Sequence, residues 1–578
     1  MKLVFAGLLS GLATADMYFQ FPGGSNNRLN EPQRDVRNDN RMFDSQNNNR
    51  FGHNQHGHYF NTGSEIDLQW TVQHSCGPDS NVNCEIVLQY ACHEQLRDGD
   101  TIDTIPEEKE SCENGDCNTD FNYGMHETYE DYQKCSLRER NYRLFPADRH
   151  IRGNNARYTR QENNGERYGY ECNEERDYYP YWQPTIWKDI AVFTDKTENC
   201  KMYETESENV KGRWFCDVPK EWMDEKYQPR SGEAFIPWNA TACAELAEKE
   251  GIEAVWTESE PHTYPDGSPM EAPTCTKAPY QRDNHHGNGE NRYFVGHKWT
   301  VPDKLVHDQC SFRVRYNISS SDYDGWNTNV DHKIRDDEGC MCRNNYGVDV
   351  WSDYGWDGHT AKTRGYRHTN DARLKVFDEV DMWLRSAYNT DQLGRVFEDR
   401  THKIAFRKTP DHIQADLDNG ARLINLNARG KVGNNVEVYP AFEYDFVPSR
   451  INASVNDWVH IQWSGSNTND RANDHSQGQI EDVISKDRHN MVVIDKLGDI
   501  RPTKDLKKMA NIFDFGETDS MKLALDGVLG GDNEYLQSAG AYFDLGPRKL
   551  STAGKWSFMS THNNRFGVRT QKGKIIVN

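Results

Sequence analysis

No cysteine follows Cys342, although fourteen stand before or at that position. The closing stretch, 343–578, must therefore hold by packing alone, while the part before it can rely on covalent ties. Long apolar runs are missing too. Past the first fifteen residues nothing approaches the ~18 apolar residues that a membrane-crossing helix needs, so no membrane span is expected. Positive charge is in short supply: Lys+Arg number 68 against 91 Asp+Glu, a formal net charge of −23. Such a surface does not displace counterions from nucleic acid or adhere to anionic lipid. There is no CxxC pair for a zinc knuckle, no HExxH, no phosphate-binding glycine loop, no dinucleotide fingerprint and no nucleophile elbow. Asp16, rather than the histidine that a polysaccharide-cleaving copper oxygenase requires, would open the mature chain. No catalytic residue is assigned on these grounds.

What is present points to an exported, folded protein. Lys2, an apolar run over 3–12 and the small-x-small step Ala13-Thr14-Ala15 read as a signal peptide, 1–15. Hydrophobic residues make up only 35%, but aromatics reach 11%, too many for a disordered acidic chain. The cysteines are Cys76, Cys84, Cys92, Cys112, Cys117, Cys135, Cys172, Cys200, Cys216, Cys243, Cys275, Cys310, Cys340 and Cys342. In an oxidising compartment an even set of this size reads as seven disulfides, whose pairing the sequence leaves open.

Alternation of apolar and polar residues marks half-buried strands at Ile66, Leu68 and Trp70, at Ile86, Leu88 and Tyr90, and at Phe312, Val314 and Tyr316. Strand patterns return over 376–384 and 402–406. They return again at Val436, Val438, Phe442, Tyr444 and Phe446, and at Val459, Ile461 and Trp463, which alternate with His460 and Gln462. A helix capped by Thr241 and stopped by Gly251 is expected over 241–250. A second, capped by Thr503, would place Leu506, Met509, Ile512 and Phe513 on one face. The expectation is a mainly β, multi-domain chain of packed sandwiches: an N-terminal strand and polar arm (16–63), a disulfide-rich β domain (64–342), an intermediate β region (343–433) and a closing sandwich with a short helical insertion (434–578).

Few residues cluster in a way that suggests chemistry. His53, His56 and His58 lie within six residues and could take copper or zinc, though Gly and Asn flanks do nothing to pre-organise them. Asp322 and Asp324, beside Gly325, space oxygen ligands as calcium loops do, without the closing Glu of the helix-loop-helix form. Asn239, Asn317 and Asn452 head sequons and are expected to carry glycans, Asn317 being the least accessible because it follows a strand. Tyr178, Tyr179, Tyr181 and Trp182, with Trp351, Tyr354 and Trp356, sit among polar residues. They are either plugs between disulfides or flat platforms for sugar rings.

Longer stretches carry two resemblances. Met17-Tyr18-Phe19-Gln20-Phe21-Pro22, residues 24–29 and 43–49, Asn83-Cys84-Glu85-Ile86-Val87-Leu88-Gln89-Tyr90, and residues 313–319, 391–400 and 439–448 occur in order. Together they resemble a family of secreted, cysteine-rich proteins first named in social amoebae, with relatives in marine invertebrates and protists. That resemblance implies export and a shared architecture and brings no reaction with it. At fold level, residues 443–463 and the ending, 554–577, resemble the strands and closing copper loop of a cupredoxin. In that likeness Met559 or Ser560 stands where blue copper has its cysteine, His562 falls near the histidine and Gln571 near the axial ligand. Without a thiolate the resemblance implies a sandwich without blue copper. The leading expectation is a non-enzymatic extracellular structural or binding glycoprotein, meeting other extracellular proteins, glycans or a second copy of itself, with no fixed cofactor. The alternative is a copper-handling or redox protein using His562, His475 and His489, with calcium or weakly bound copper as the only ions in view.

Overall fold

The computed structural model describes residues 17–23, 58–96, 179–280, 295–319, 373–429, 444–464, 489–525, 542–561 and 571–578, with short breaks, and scattered positions over 128–138. The protein is mainly β. One seven-stranded sheet contains β1 (Met17–Phe21), β3 (Ser64–Val72), β15 (Leu423–Arg429), β18 (Trp458–Ser464) and β20 (Tyr542–Lys549) in that order. β9 (Gly296–Thr300) pairs with β3 and β16 (Asp445–Val447) with β15. A second sheet runs β2 (Tyr59–Asn61), β14 (Ile404–Arg407), β10 (His307–Ser319), β4 (Asn83–Cys92), β5 (Lys188–Thr194) and β8 (Thr274–Lys277), with β13 (Arg395–Arg400) also on β10. A third, smaller sheet orders β17 (Arg450–Ala453), β22 (Lys572–Val577), β21 (Gly554–Met559) and β19 (Val492–Ile494). Two two-stranded sheets, β6 (Trp214–Asp217) with β7 (Val255–Glu258) and β11 (Arg373–Lys375) with β12 (Trp383–Arg385), stand apart. Helices α1 (Cys200–Glu206), α2 (Lys220–Lys226), α3 (Ala240–Glu250), α4 (Asp411–Asp418) and α5 (Glu517–Leu525) are short.

Two cores explain the layering. Ile66, Leu68 and Trp70 of β3 meet Ile86, Leu88 and Tyr90 of β4 and Phe312, Val314 and Tyr316 of β10, so the alternation read from sequence is the inward face of two stacked sheets. Val459, Ile461 and Trp463 of β18 meet Phe558, Ile575 and Val577 of the third sheet in the other. The first sheet belongs to both, because β15 pairs in parallel with β3 at Leu423↔Ser64 and with β18 at Leu423↔Trp458.

Four disulfides tie described residues: Cys76–Cys84, Cys92–Cys310, Cys200–Cys275 and Cys216–Cys243. Cys112, Cys117, Cys135, Cys172, Cys340 and Cys342 lie outside the described residues.

Three local expectations change. The cap of α3 is Asn239, whose side-chain amide oxygen accepts from Ala242 N at 2.8 Å; its backbone is extended (φ −135°), as a cap requires, while Thr241 is already inside the helix. Gly251 does stop it, at φ 66°. The stretch 376–384 is the bend of a hairpin rather than one strand, with Phe377, Val380 and Met382 exposed between β11 and β12. Thr503 sits in irregular chain, its Oγ1 accepting from Asp505 N at 3.4 Å. Lys508, a few residues further on, is helical, and Ile512 and Phe513 just after it fill the second core. Val436, Val438, Phe442, Leu506 and Met509 lie outside the described residues.

Candidate functional site

The closing sandwich brings a polar cluster to one buried end. His489 and Asn490 enter β19, Ser560 and Thr561 leave β21, and Gln571 precedes β22; His489, Asn490, Ser560 and Gln571 are fully buried. The amide end of Gln571 lies 3.1–3.2 Å from His489 Nδ1, with the Tyr444 ring at 5.9 Å. Asn490 ties the turn together. Its Oδ1 accepts from Thr561 N at 2.7 Å and Ser560 Oγ at 3.2 Å, and its Nδ2 donates to Thr561 Oγ1 at 2.8 Å and to Ala524 O at 2.9 Å. Ser560 N donates to Gln571 O at 3.0 Å, fixing the two ends of the closing loop side by side. Met559, one step along the strand, points the other way and packs with Val492, Ile494 and Ala524. Of the two residues that could replace a copper thiolate, Ser560 is therefore the one beside Asn490 and Gln571.

This set does not fit blue copper, which needs a thiolate. An imidazole nitrogen and an amide oxygen with a neighbouring hydroxyl fit a harder, nitrogen- and oxygen-bound ion such as Cu(II) or Zn(II). His562 and His475 lie outside the described residues.

His58, from the histidine cluster, is buried rather than solvated. Its Nε2 lies 3.3 Å from Ser464 Oγ, and its ring packs near Phe21 and Phe60. Burial first, then the charge of His460, pushes its pKa down to about 4, with Asp544 pulling the other way. Beside it, His460 Nε2 lies 3.0 Å from Asp544 Oδ1, and the Tyr59 ring packs on His460 at 4.7 Å. Burial opposes ionisation of Asp544, yet hydrogen bonds from His460, Gly546 N and Tyr59 keep it below the usual carboxylate range. This is a seam: residues 58–61 lie on the polar face of β18. His53, His56, Asp322 and Asp324 lie outside the described residues.

Sequence reading missed one group altogether. Cys92, His307 and Cys310 bring their sulfur and imidazole atoms within 4.8 Å of one another, and this is the one group of three such ligands among the described residues. The two sulfurs are bonded to each other. The signal was a Cys ending one strand and a His-x-x-Cys opening another, but three residues normally separate opposite faces of a strand, so the spacing gave no reason to join them.

The remaining predicted positions are dispersed over the fold. Asn452 is exposed on β17, Asn239 is half-buried as the α3 cap, and Asn317 lies within β10 between Glu85 of β4 and Val396 of β13. Tyr179 and Tyr181 are buried against Tyr203, so they are core plugs and not sugar platforms. Tyr178, Trp182, Trp351, Tyr354 and Trp356 lie outside the described residues. Trp214 is an exposed indole that sequence reading passed over, stacked on Trp256 at 6.4 Å.

A disulfide-bonded β domain sharing a sheet with a cupredoxin-like sandwich defines the class. Residues 15–406 match the DD3-3 N-terminal domain and residues 421–535 the DD3-3 cupredoxin-like domain. The chain belongs to the DD3-3 family. Among solved structures, a mutant plastocyanin of fern is similar at 17% identity, covering 27% of this chain and 99% of its own, with a TM-score of 0.13. The oxidised plastocyanin from Dryopteris crassirhizoma is similar at 16% identity with the same coverage and a TM-score of 0.12. No curated protein matches the chain.

Proposed function

We propose that this is an exported copper-handling protein that carries no blue copper and transfers no electrons through one. The observation that supports this reading is the buried pairing of His489 Nδ1 with the Gln571 amide at 3.1–3.2 Å, beside Ser560. His489 would supply the nitrogen and Gln571 the amide oxygen. Bound there, copper would be a weak nitrogen- and oxygen-ligated Cu(II). The chain's own part is to hold those two side chains between buried strand ends and to exclude a thiolate. The test is Cu(II) titration of the full chain, followed by electron paramagnetic resonance and visible absorption. One chelator-labile Cu(II) per chain, no intense thiolate band and loss of binding in His489→Ala are expected. Undiminished binding in His489→Ala would reject the site.

A second reading is favoured by the Asn490 network, which already satisfies Ser560 and Thr561 without an ion. In it the sandwich is a scaffold, and the chain is an extracellular structural or binding glycoprotein that contacts other proteins, glycans or itself. Copper-free protein that retains full partner binding and full thermal stability would favour it.

A further inference from the structure

The strand β10 is bulged where it meets β14. His307 pairs with Phe406 and Cys310 with Ile404, so a step of three residues on one strand spans a step of two on the other. A bulge of one residue shifts the side-chain alternation and re-aims the side chains beyond it. Here it turns His307 to the same side as Cys310, which the spacing alone would forbid. Across the sheet, Cys310 stands directly opposite Cys92, the last residue of β4, and that ladder runs unshifted to Ser319↔Asn83. Gln309 N donates to His307 Nδ1 at 3.0 Å and fixes the ring, while His93 N donates to Gln309 O at 3.0 Å. Cys92 and His307 are half-buried, and Cys310 is fully buried.

We propose that Cys92, Cys310 and His307 form a redox-gated site for a soft metal ion, closed as a disulfide and opened by a dithiol reductant. One thiolate of the reductant attacks the half-exposed Cys92 sulfur, and Cys310 leaves as a thiolate. The reductant's second thiol then displaces Cys92. Two electrons pass to the cysteine pair, the reductant leaves as its own disulfide, and two protons complete the thiols. The ladder keeps the two sulfurs opposed once the covalent bond is gone, because directly paired residues hold their Cβ atoms about 4.5–5.5 Å apart. Two thiolates and an imidazole suit Zn(II) or Cu(I), with a fourth position left for an exogenous ligand, and binding releases the two thiol protons. His93, Glu94, Asp308 and Lys188 supply the charges around His307.

The site belongs to the N-terminal domain and stands independently of His489. Its test uses the full chain, reduced under native conditions with a phosphine that does not chelate, then titrated with Co(II). Alkylation and mass mapping are expected to find Cys92 and Cys310 free while the β circular-dichroism signal persists. One Co(II) per chain is expected to give sulfur-to-metal charge-transfer absorption. His307→Ala, which keeps both cysteines, is expected to bind roughly tenfold more weakly or worse, about 1.4 kcal/mol or more. His489→Ala is expected to bind as the parent does. Equal affinity in His307→Ala, or collapse of the β signal as soon as Cys92–Cys310 opens, overturns the proposal.

Discussion

Gln462 clasps the backbone of Tyr59: its Nε2 donates to Tyr59 O at 2.6 Å, and its Oε1 accepts from Tyr59 N at 3.3 Å. Gln462 lies on the polar face of β18, between His460 and Ser464, and Tyr59 opens β2 of the N-terminal domain. A side chain that would face water in an isolated sandwich thus completes a strand of another sheet.

Gln462→Ala is expected to weaken the junction. It removes two hydrogen bonds and leaves a buried backbone pair to find other partners, a loss of about 1–3 kcal/mol. Urea unfolding of the full chain reads it as an earlier transition. An unchanged midpoint would show that the seam contributes nothing to stability.

The same seam makes stability depend on pH. A histidine held down to about 4 stays neutral in the fold while the unfolded ring titrates near ~6.5. Its stabilisation is whole above that upper value and is lost as pH falls towards 4, on the order of 3 kcal/mol in all. Burial lifts Glu85 to about 7 and Asp445 to about 6, and these contribute with the opposite sign, losing stabilisation as pH rises. The readout is therefore the difference between parent and His58→Phe, which keeps an aromatic against Phe21 and Phe60. The variant should lose less stability than the parent between pH 6.5 and 4. Parallel curves would count against a neutral, buried His58.

Under reducing conditions the two domains should part ways. Each bridge in the cysteine-bearing region contributes about 2–5 kcal/mol, and none lies beyond Cys342. Limited proteolysis after exhaustive reduction of every bridge, and not merely the native-condition opening of Cys92–Cys310, is expected to degrade that region and spare a fragment beginning near Leu423, whose exposed β18 face would be the polar His460, Gln462 and Ser464. Equal digestion of both parts would reject this.

Glycopeptide mapping of protein from its natural source is expected to find Asn452 and Asn239 occupied and Asn317 bare. Asn452 faces solvent, and the Asn239 cap uses the amide oxygen, leaving the nitrogen for a sugar. Asn317 is flanked by strands on both sides, so a glycan there would have to stand on a paired sheet face. A glycan on Asn317 with none on Asn452 would reverse this assignment.

The alternation of Val459, Ile461 and Trp463 with His460 and Gln462 was legible because burial on one face imposes period two. What those polar residues face was not legible, since a polar strand face reads alike against water or against a hydrogen-bonding neighbour. Ser560 could not be separated from Met559 by counting residues; the side each presents depends on where β21 ends. The Cys92–His307–Cys310 group depends on a bulge, and a bulge shifts the register without leaving a residue type that marks it. Tyr179 and Tyr181 looked exposed because their neighbours are polar, yet Asp189 and Gln89 bind their hydroxyls inside the fold.

The distance along the chain between Tyr59 and Gln462, 403 residues, has a consequence for synthesis. At about 5–20 residues per second, the clasping residue emerges roughly 20–80 s after the one it clasps. Throughout that interval β2 and the end of β3 have no partner from β15 or β18. Strands made early are finished by a domain made much later, so a chain cut short before residue 423 is left with an open sheet edge, the kind of edge that other chains add to.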